Sequence, residues 1–105
     1  MIIYGLKNCS TCRAALKALP GAQMHDVRDD PMDQVVLARA FDLFGDKILN
    51  TRSTTWRELD AAARSGAPLD LIAAHPTLMK RPLIANGDAL YLGWDKTTQA
   101  ALGVA

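Results

Sequence analysis

The chain has 105 residues, a mass of 11.4 kDa and 50% hydrophobic content, enough for one domain with a proper core and too short for several. Twelve Lys and Arg against eleven Asp and Glu leave a formal charge of +1, so the overall balance excludes the strongly basic field of a nucleic-acid or anionic-membrane binder. No apolar run approaches the roughly 18–20 residues that span a bilayer, and the sequence holds no repeat, low-complexity segment or linker.

Residues 1 to 5 read as a buried strand, and Ala14, Ala15, Leu16, Ala18 and Leu19 supply the apolar face of a helix that starts near Ser10 or Thr11 and stops at Pro20-Gly21. A second strand is expected at about Ala22 to Val27. Strand, helix and strand in so few residues form a parallel βαβ unit with a right-handed crossover. That connection sets the loop after the first strand at the carboxyl edge of the sheet, where ligands bind in open α/β folds. Asp30-Pro31 reads as a cap with proline at the first helical position, opening a helix through Val35, Val36, Ala40, Phe41, Leu43 and Phe44 to Gly45.

Thr55 and Glu58 make a capping box for a helix through Leu59, Ala62 and Ala63 that ends near Gly66, and Pro68 opens a short helix to about Ala74. Leu83 to Ala85 and Ala89 to Leu92 flank Asn86-Gly87 and predict an antiparallel hairpin with a two-residue turn. Asp95 caps a last helix to about Leu102. The order is β-α-β, a helical insertion at about residues 30–75, then a β-hairpin and a C-terminal helix in one domain spanning 1–105. This is an α/β thioredoxin-like arrangement with a mixed sheet.

Two cysteines are present, Cys9 and Cys12, and they sit in the loop between the first strand and the first helix. Cys9 falls at the helix N-terminus, where unpaired backbone N–H groups and the macrodipole favour a thiolate. Lys7 and Arg13 add positive charge nearby, and Cys12, one turn along, is within reach to resolve a mixed disulfide. The plainer alternative is a pair of small buried residues that happen to lie close. Zinc would need two further ligands, and His25 and His75 lack the short spacing of a finger. A structural disulfide closing so short a loop stabilises little, and the chain opens on an apolar strand rather than a secretory signal, so a reducing cytoplasm is the expected compartment.

Four segments, YGLKNCSTCR (4–13), ILNTRSTTWREL (48–59), HPTLMKRPLI (75–84) and LYLGWD (90–95), together resemble the family that joins the glutaredoxin-coupled arsenate reductases (ArsC), the Spx regulators and the small YffB proteins, the YffB type above all. The resemblance implies that Cys9 is the nucleophile and Cys12 the second cysteine of an Spx-type pair. It implies that Arg81 lies over the cysteine and that Pro82 follows a cis peptide bond, although by sequence alone Pro82 reads as a plain strand-start proline. A guanidinium at Arg81 presents a rigid fork of donors to an oxyanion or carboxylate and stabilises a thiolate, against the alternative of a solvated surface arginine. Arg52 matches an arginine of the Spx-like pattern, which either lines the same cleft or ties a loop down.

Arg13, Arg52 and Pro82 are accordingly the expected substrate-binding residues, beside Cys9, Cys12 and Arg81 as the reacting set, with no metal. Arsenate reductases of this type use three arginines around the oxyanion, and here Asn50 and Gly93 stand where two of them align. Arsenate therefore lacks two charge-assisted clamps. The resulting expectation is a thiol-disulfide oxidoreductase with no bound cofactor. Its co-substrate is glutathione, or a glutaredoxin-type thiol donor, and a protein disulfide is an alternative substrate. Neither a membrane nor direct nucleic-acid contact is expected. A regulator that binds the RNA polymerase α subunit in the manner of Spx is the second reading, and a glutaredoxin-coupled arsenate reductase the third.

Overall fold

The structure is a computed structural model that describes residues 1–104. It divides into two compact units, one formed by Met1–Asp30 with the segment from Arg81 onward and the other by Pro31–Lys80.

The first unit holds the sheet. Strands β1 (Ile2–Gly5) and β2 (Gln23–Asp26) pair in parallel through helix α1 (Ser10–Ala18), while β3 (Leu83–Asn86) pairs antiparallel with β1 and β4 (Ala89–Leu92) antiparallel with β3. The order β2-β1-β3-β4 is the mixed sheet expected from the element sequence. The register aligns Met24, Ile3, Ile84 and Tyr91 in one row across all four strands. Ala15 of α1 and Leu19 at its C-cap close over that row, with Trp94 and Leu102 at its margin. Ile3 and Ile84 are wholly buried, and each contributes about 1.5–3 kcal/mol by leaving water. This packing fixes α1 against β1 and so fixes the loop that joins them.

The hairpin turn differs by one position from the expected one. Asn86 pairs with Ala89, so the two loop residues are Gly87 and Asp88 rather than Asn86 and Gly87. Gly87 has φ +61° and no described non-glycine residue has positive φ, which suits a type II′ turn with glycine first. The last helix of this unit, Lys96–Ala101, is capped as expected, the Asp95 carboxylate accepting from Thr98 N–H at 2.8 Å.

The second unit is helical: α2 (Gln34–Phe44), a 3-10 turn at Gly45–Ile48, α3 (Thr54–Glu58), α4 (Ala61–Arg64), α5 (Pro68–Ala74) and a 3-10 turn at Pro76–Leu78, followed in the first unit by α6, the Lys96–Ala101 helix. Two caps differ from expectation. Asp33, not Asp30, starts α2 by accepting from Val35 N–H at 2.8 Å; Asp30 lies four residues before the helix, with its carboxylate 3.6 Å from His25 Nε2. Ser53, not Thr55, starts α3 by accepting from Trp56 N–H, and the Thr55 hydroxyl pairs with Thr77 at 2.8 Å. The single helix expected through residues 59–63 is two, since Asp60 re-caps the chain by accepting from Ala63 N–H at 2.7 Å. No helix among the described residues is long and apolar enough to cross a membrane.

Candidate functional site

Cys9 adopts the extended conformation of a helix N-cap, with φ −87° and ψ 121°, immediately before α1. Its N–H donates to the Leu6 carbonyl at 3.1 Å and its carbonyl accepts from Arg13 N–H at 3.0 Å. The first bond closes a tight turn with Lys7 and Asn8 at its corner; the second begins the helix. The turn is tethered from β2: Asp26 accepts from Lys7 N–H at 2.9 Å and from Arg28 N–H at 2.8 Å. These donors, Lys7 N–H foremost, hold the Asp26 carboxyl below its ordinary range. Asp26 is a positioning residue that sequence reading missed. The available signal was the Asp-Val-Arg-Asp run after a strand, in which an aspartate accepts from backbone groups two and three residues on.

Both cysteines are free thiols; Cys9 is half-buried and Cys12 has no exposed surface. Burial weighs most on the Cys9 sulfur and opposes ionisation. It is outweighed by the Cys12 backbone N–H, the Cys12 thiol, the Thr11 backbone N–H and the charge of Arg81, and the net result is a lowered pKa. Cys12 moves the other way, pushed up to about 11, first by burial and then by its hydrogen bond to Cys9 and the charge there. The two sulfurs are thus biased in opposite directions, Cys9 toward the thiolate and Cys12 toward the protonated thiol.

The space for Cys12 comes from Gly5. A Cβ built on Gly5 overlaps the Cys12 Sγ and lies 3.2 Å from the Cys12 Cβ. Cys12 thus packs its sulfur on the bare backbone at the end of β1.

Cys9, Cys12, Arg13, Arg81 and Pro82 all belong to the first unit. Arg81 precedes β3, has its Nε buried, and is joined to Pro82 by a cis peptide bond. Pro82 is fully buried and its carbonyl accepts from Gly93 N–H at 2.8 Å. Gly93 has φ +87°, so a side chain at the position where an arginine aligns would be strained. Arg13 is exposed on the first turn of α1, and the cation acting on Cys9 is Arg81. The Lys7 ammonium pairs with Asp29 at 2.9 Å. Arg52 belongs to the second unit, where it is exposed and its N–H donates to Asn50 Oδ1 at 3.1 Å. Asn50 also accepts Ser53 through its carbonyl and donates to Leu78 O at 2.7 Å, so the position serves loop closure. Among the described residues no group of three or more His, Cys, Asp or Glu is arranged to hold a metal ion.

A family model described as the ArsC family matches residues 4–102. An uncharacterized protein of Haemophilus influenzae is 39% identical, over 94% of this chain and 96% of its own length. The global transcriptional regulator Spx of Streptococcus pyogenes is 27% identical, over 85% of this chain and 74% of its own. Among solved structures, the YFFB protein superposes with a TM-score of 0.86 at 28% identity over 96% of both chains. An arsenate reductase (ArsC) related protein from Brucella melitensis does so with 0.69 at 27% identity, over 98% of this chain and 94% of that one. With a mixed sheet, a cysteine at the first helix N-terminus and a match across nearly its whole length, the chain belongs to the ArsC family and has its thioredoxin-like fold.

Proposed function

We propose that the protein is a glutathione-dependent thiol-disulfide oxidoreductase in which Cys9 is the attacking thiolate. The observation that carries this reading is the opposite bias of the two sulfurs, the half-buried Cys9 at the helix N-terminus shifted below the ordinary thiol value and the fully buried Cys12 above it. The Cys9 thiolate attacks one sulfur of a disulfide, forms a mixed disulfide and expels the other sulfur as a thiolate that takes a proton from water. Loss of the negative charge on Cys9 removes one of the influences that hold the proton on Cys12. Cys12, once ionised, attacks the Cys9 sulfur and releases the second product; two glutathione thiols then reduce the Cys9–Cys12 disulfide and leave as glutathione disulfide. Alternatively, a glutathione thiolate resolves the mixed disulfide directly.

Arg81 is the residue best suited to hold an anionic group beside the reacting sulfur, such as a glutathione carboxylate, because its fork of donors matches a carboxylate. Arg13 and Arg52 are secondary candidates for substrate contact, and the backbone before Pro82 for pairing with an extended peptide substrate. The chemistry requires a reducing compartment such as the cytoplasm. Arsenate is a poor fit, since Asn50 and Gly93 replace two cationic clamps.

The test is a glutathione-coupled disulfide reduction assay on the wild type, Cys9→Ser and Cys12→Ser. Cys9→Ser is expected to abolish turnover, and unchanged turnover in that variant rejects the mechanism. Loss in Cys12→Ser as well assigns resolution to Cys12; retention assigns it to glutathione. The identity to Spx favours a second reading, binding of the polymerase α subunit under redox control. Purified α subunit that binds neither the dithiol nor the disulfide form disposes of it.

A further inference from the structure

Resolution by an internal thiol needs the two sulfurs to be close and correctly aimed, and the α-helix alone does not secure this. Cys12 lies on the buried side of α1, facing β1, and any side chain at the facing position competes with its sulfur for the same volume. At Gly5 that volume is free: a Cβ there would overlap the Cys12 Sγ, stand 3.2 Å from the Cys12 Cβ and make only ordinary contact, 3.8 Å, with the Met24 Sδ. Gly5 has no positive φ that would itself demand glycine. It is a strand residue in full register, paired with Asp26 of β2. Gly5 ends β1, and a glycine in a strand often marks a close approach of another group. The approaching group here is a sulfur.

We propose that Gly5 is the positioning residue of the dithiol centre: its missing side chain seats the Cys12 sulfur against β1 within hydrogen-bond reach of Cys9, and a single methyl group there uncouples the two thiols. The inference rests on the thiol-disulfide reading of Cys9 and adds what sets the geometry of the second sulfur. Displacing the sulfur removes the donor it offers to the Cys9 thiolate. It also strains the disulfide, whose Cβ and sulfur positions tolerate little error. Cys9 itself, held by Leu6 and the start of α1, stays in place.

The experiment is a double-mutant cycle over Gly5→Ala and Cys12→Ala, read by the pH midpoint of Cys9 alkylation. In parallel, wild type and Gly5→Ala are equilibrated with glutathione and glutathione disulfide, in which one glutathione disulfide oxidises the two thiols to the Cys9–Cys12 disulfide and yields two glutathione. Gly5→Ala and Cys12→Ala are each expected to move the alkylation midpoint upward, and the double variant no further than Cys12→Ala alone. The equilibrium constant for the internal disulfide in Gly5→Ala should fall by about tenfold, ~30 mV in the potential of the pair. Additive midpoint shifts, or a Gly5→Ala protein indistinguishable from wild type in both readouts, overturn the proposal. If Gly5→Ala fails to fold, folding of Gly5→Ala/Cys12→Ala supports it, because removing the sulfur then relieves the clash. Failure of that double variant overturns it. None of these readouts needs turnover, so failure of the oxidoreductase reading shows separately, as coupled activity indifferent to Cys9→Ser.

Discussion

The Cys12 thiol donates a hydrogen bond to the sulfur of Cys9, three residues before it at the N-cap of α1. Burial weighs most on both sulfurs and disfavours their ionised forms, yet the outcomes diverge. Cys9 collects the donors at the helix start and ionises more easily; Cys12, with no exposed surface, becomes a donor and keeps its proton. One strand-to-helix junction thereby gives two chemically identical side chains opposite tendencies to ionise.

Arg81 adds attraction for the Cys9 thiolate on top of the backbone donors. Because Cys9 is only half-buried, solvent screens that attraction. Arg81→Ala is expected to slow Cys9 alkylation at neutral pH by about two- to fivefold, the size of a partly screened charge pair. Arg81→Lys retains most of the rate but weakens glutathione binding, because an ammonium lacks the fork that grips a carboxylate. Stopped-flow alkylation with a KM measurement for glutathione checks both parts, and equal rates in all three proteins contradict the assignment.

Asp26 ties the turn that presents Cys9 to the end of β2. Its carboxyl is held below the ordinary value, first by Lys7 N–H, with Arg28 and Asp29 N–H adding to it. A group whose folded pKa is depressed contributes stability above its unfolded pKa of about 3.9 and loses it as pH falls through the folded value. Wild type should exceed Asp26→Ala in stability by about 0.5–1 kcal/mol at pH 7, after discounting for solvent exposure. The gap should shrink as the pH drops below about 4. Urea midpoints at several pH values measure it; a gap that is constant with pH shows that the carboxylate charge is not involved.

The caps of the second unit give a sharp contrast. Ser53→Ala removes the acceptor for Trp56 N–H and should cost about 1 kcal/mol. Glu58→Ala, at the far end of the expected capping box, should stay within about 0.5 kcal/mol of wild type. Chemical denaturation of the two variants decides whether Ser53 or a Thr55–Glu58 box starts α3.

These contrasts show which parts of the molecule are legible from neighbouring residues alone. Cys9 at a helix start and Asp95 as a cap are local features, and both stand where the sequence predicts them. Among Ser53, Thr54 and Thr55 the choice is not local, because the Thr55 hydroxyl is taken by Thr77, 22 residues away. The Lys7–Asp29 pair likewise joins residues 22 apart and is not legible from the neighbours of Lys7. The cap of α2 is Asp33 rather than Asp30, whose carboxylate faces His25 on β2. Gly5 carries no mark in the sequence beyond being a glycine at a strand end; its role appears only when α1 folds over β1 and sets a sulfur against it.

The central claim, that Cys9 is a ready thiolate and Cys12 a withheld one, is tested most directly by the pH dependence of alkylation, with each cysteine followed separately by peptide mass mapping. The account predicts a Cys9 midpoint below the ordinary thiol value of about 8.5, while Cys12 stays unlabelled at neutral pH. A Cys9 midpoint at or above that ordinary value, or labelling of Cys12 ahead of Cys9, contradicts it.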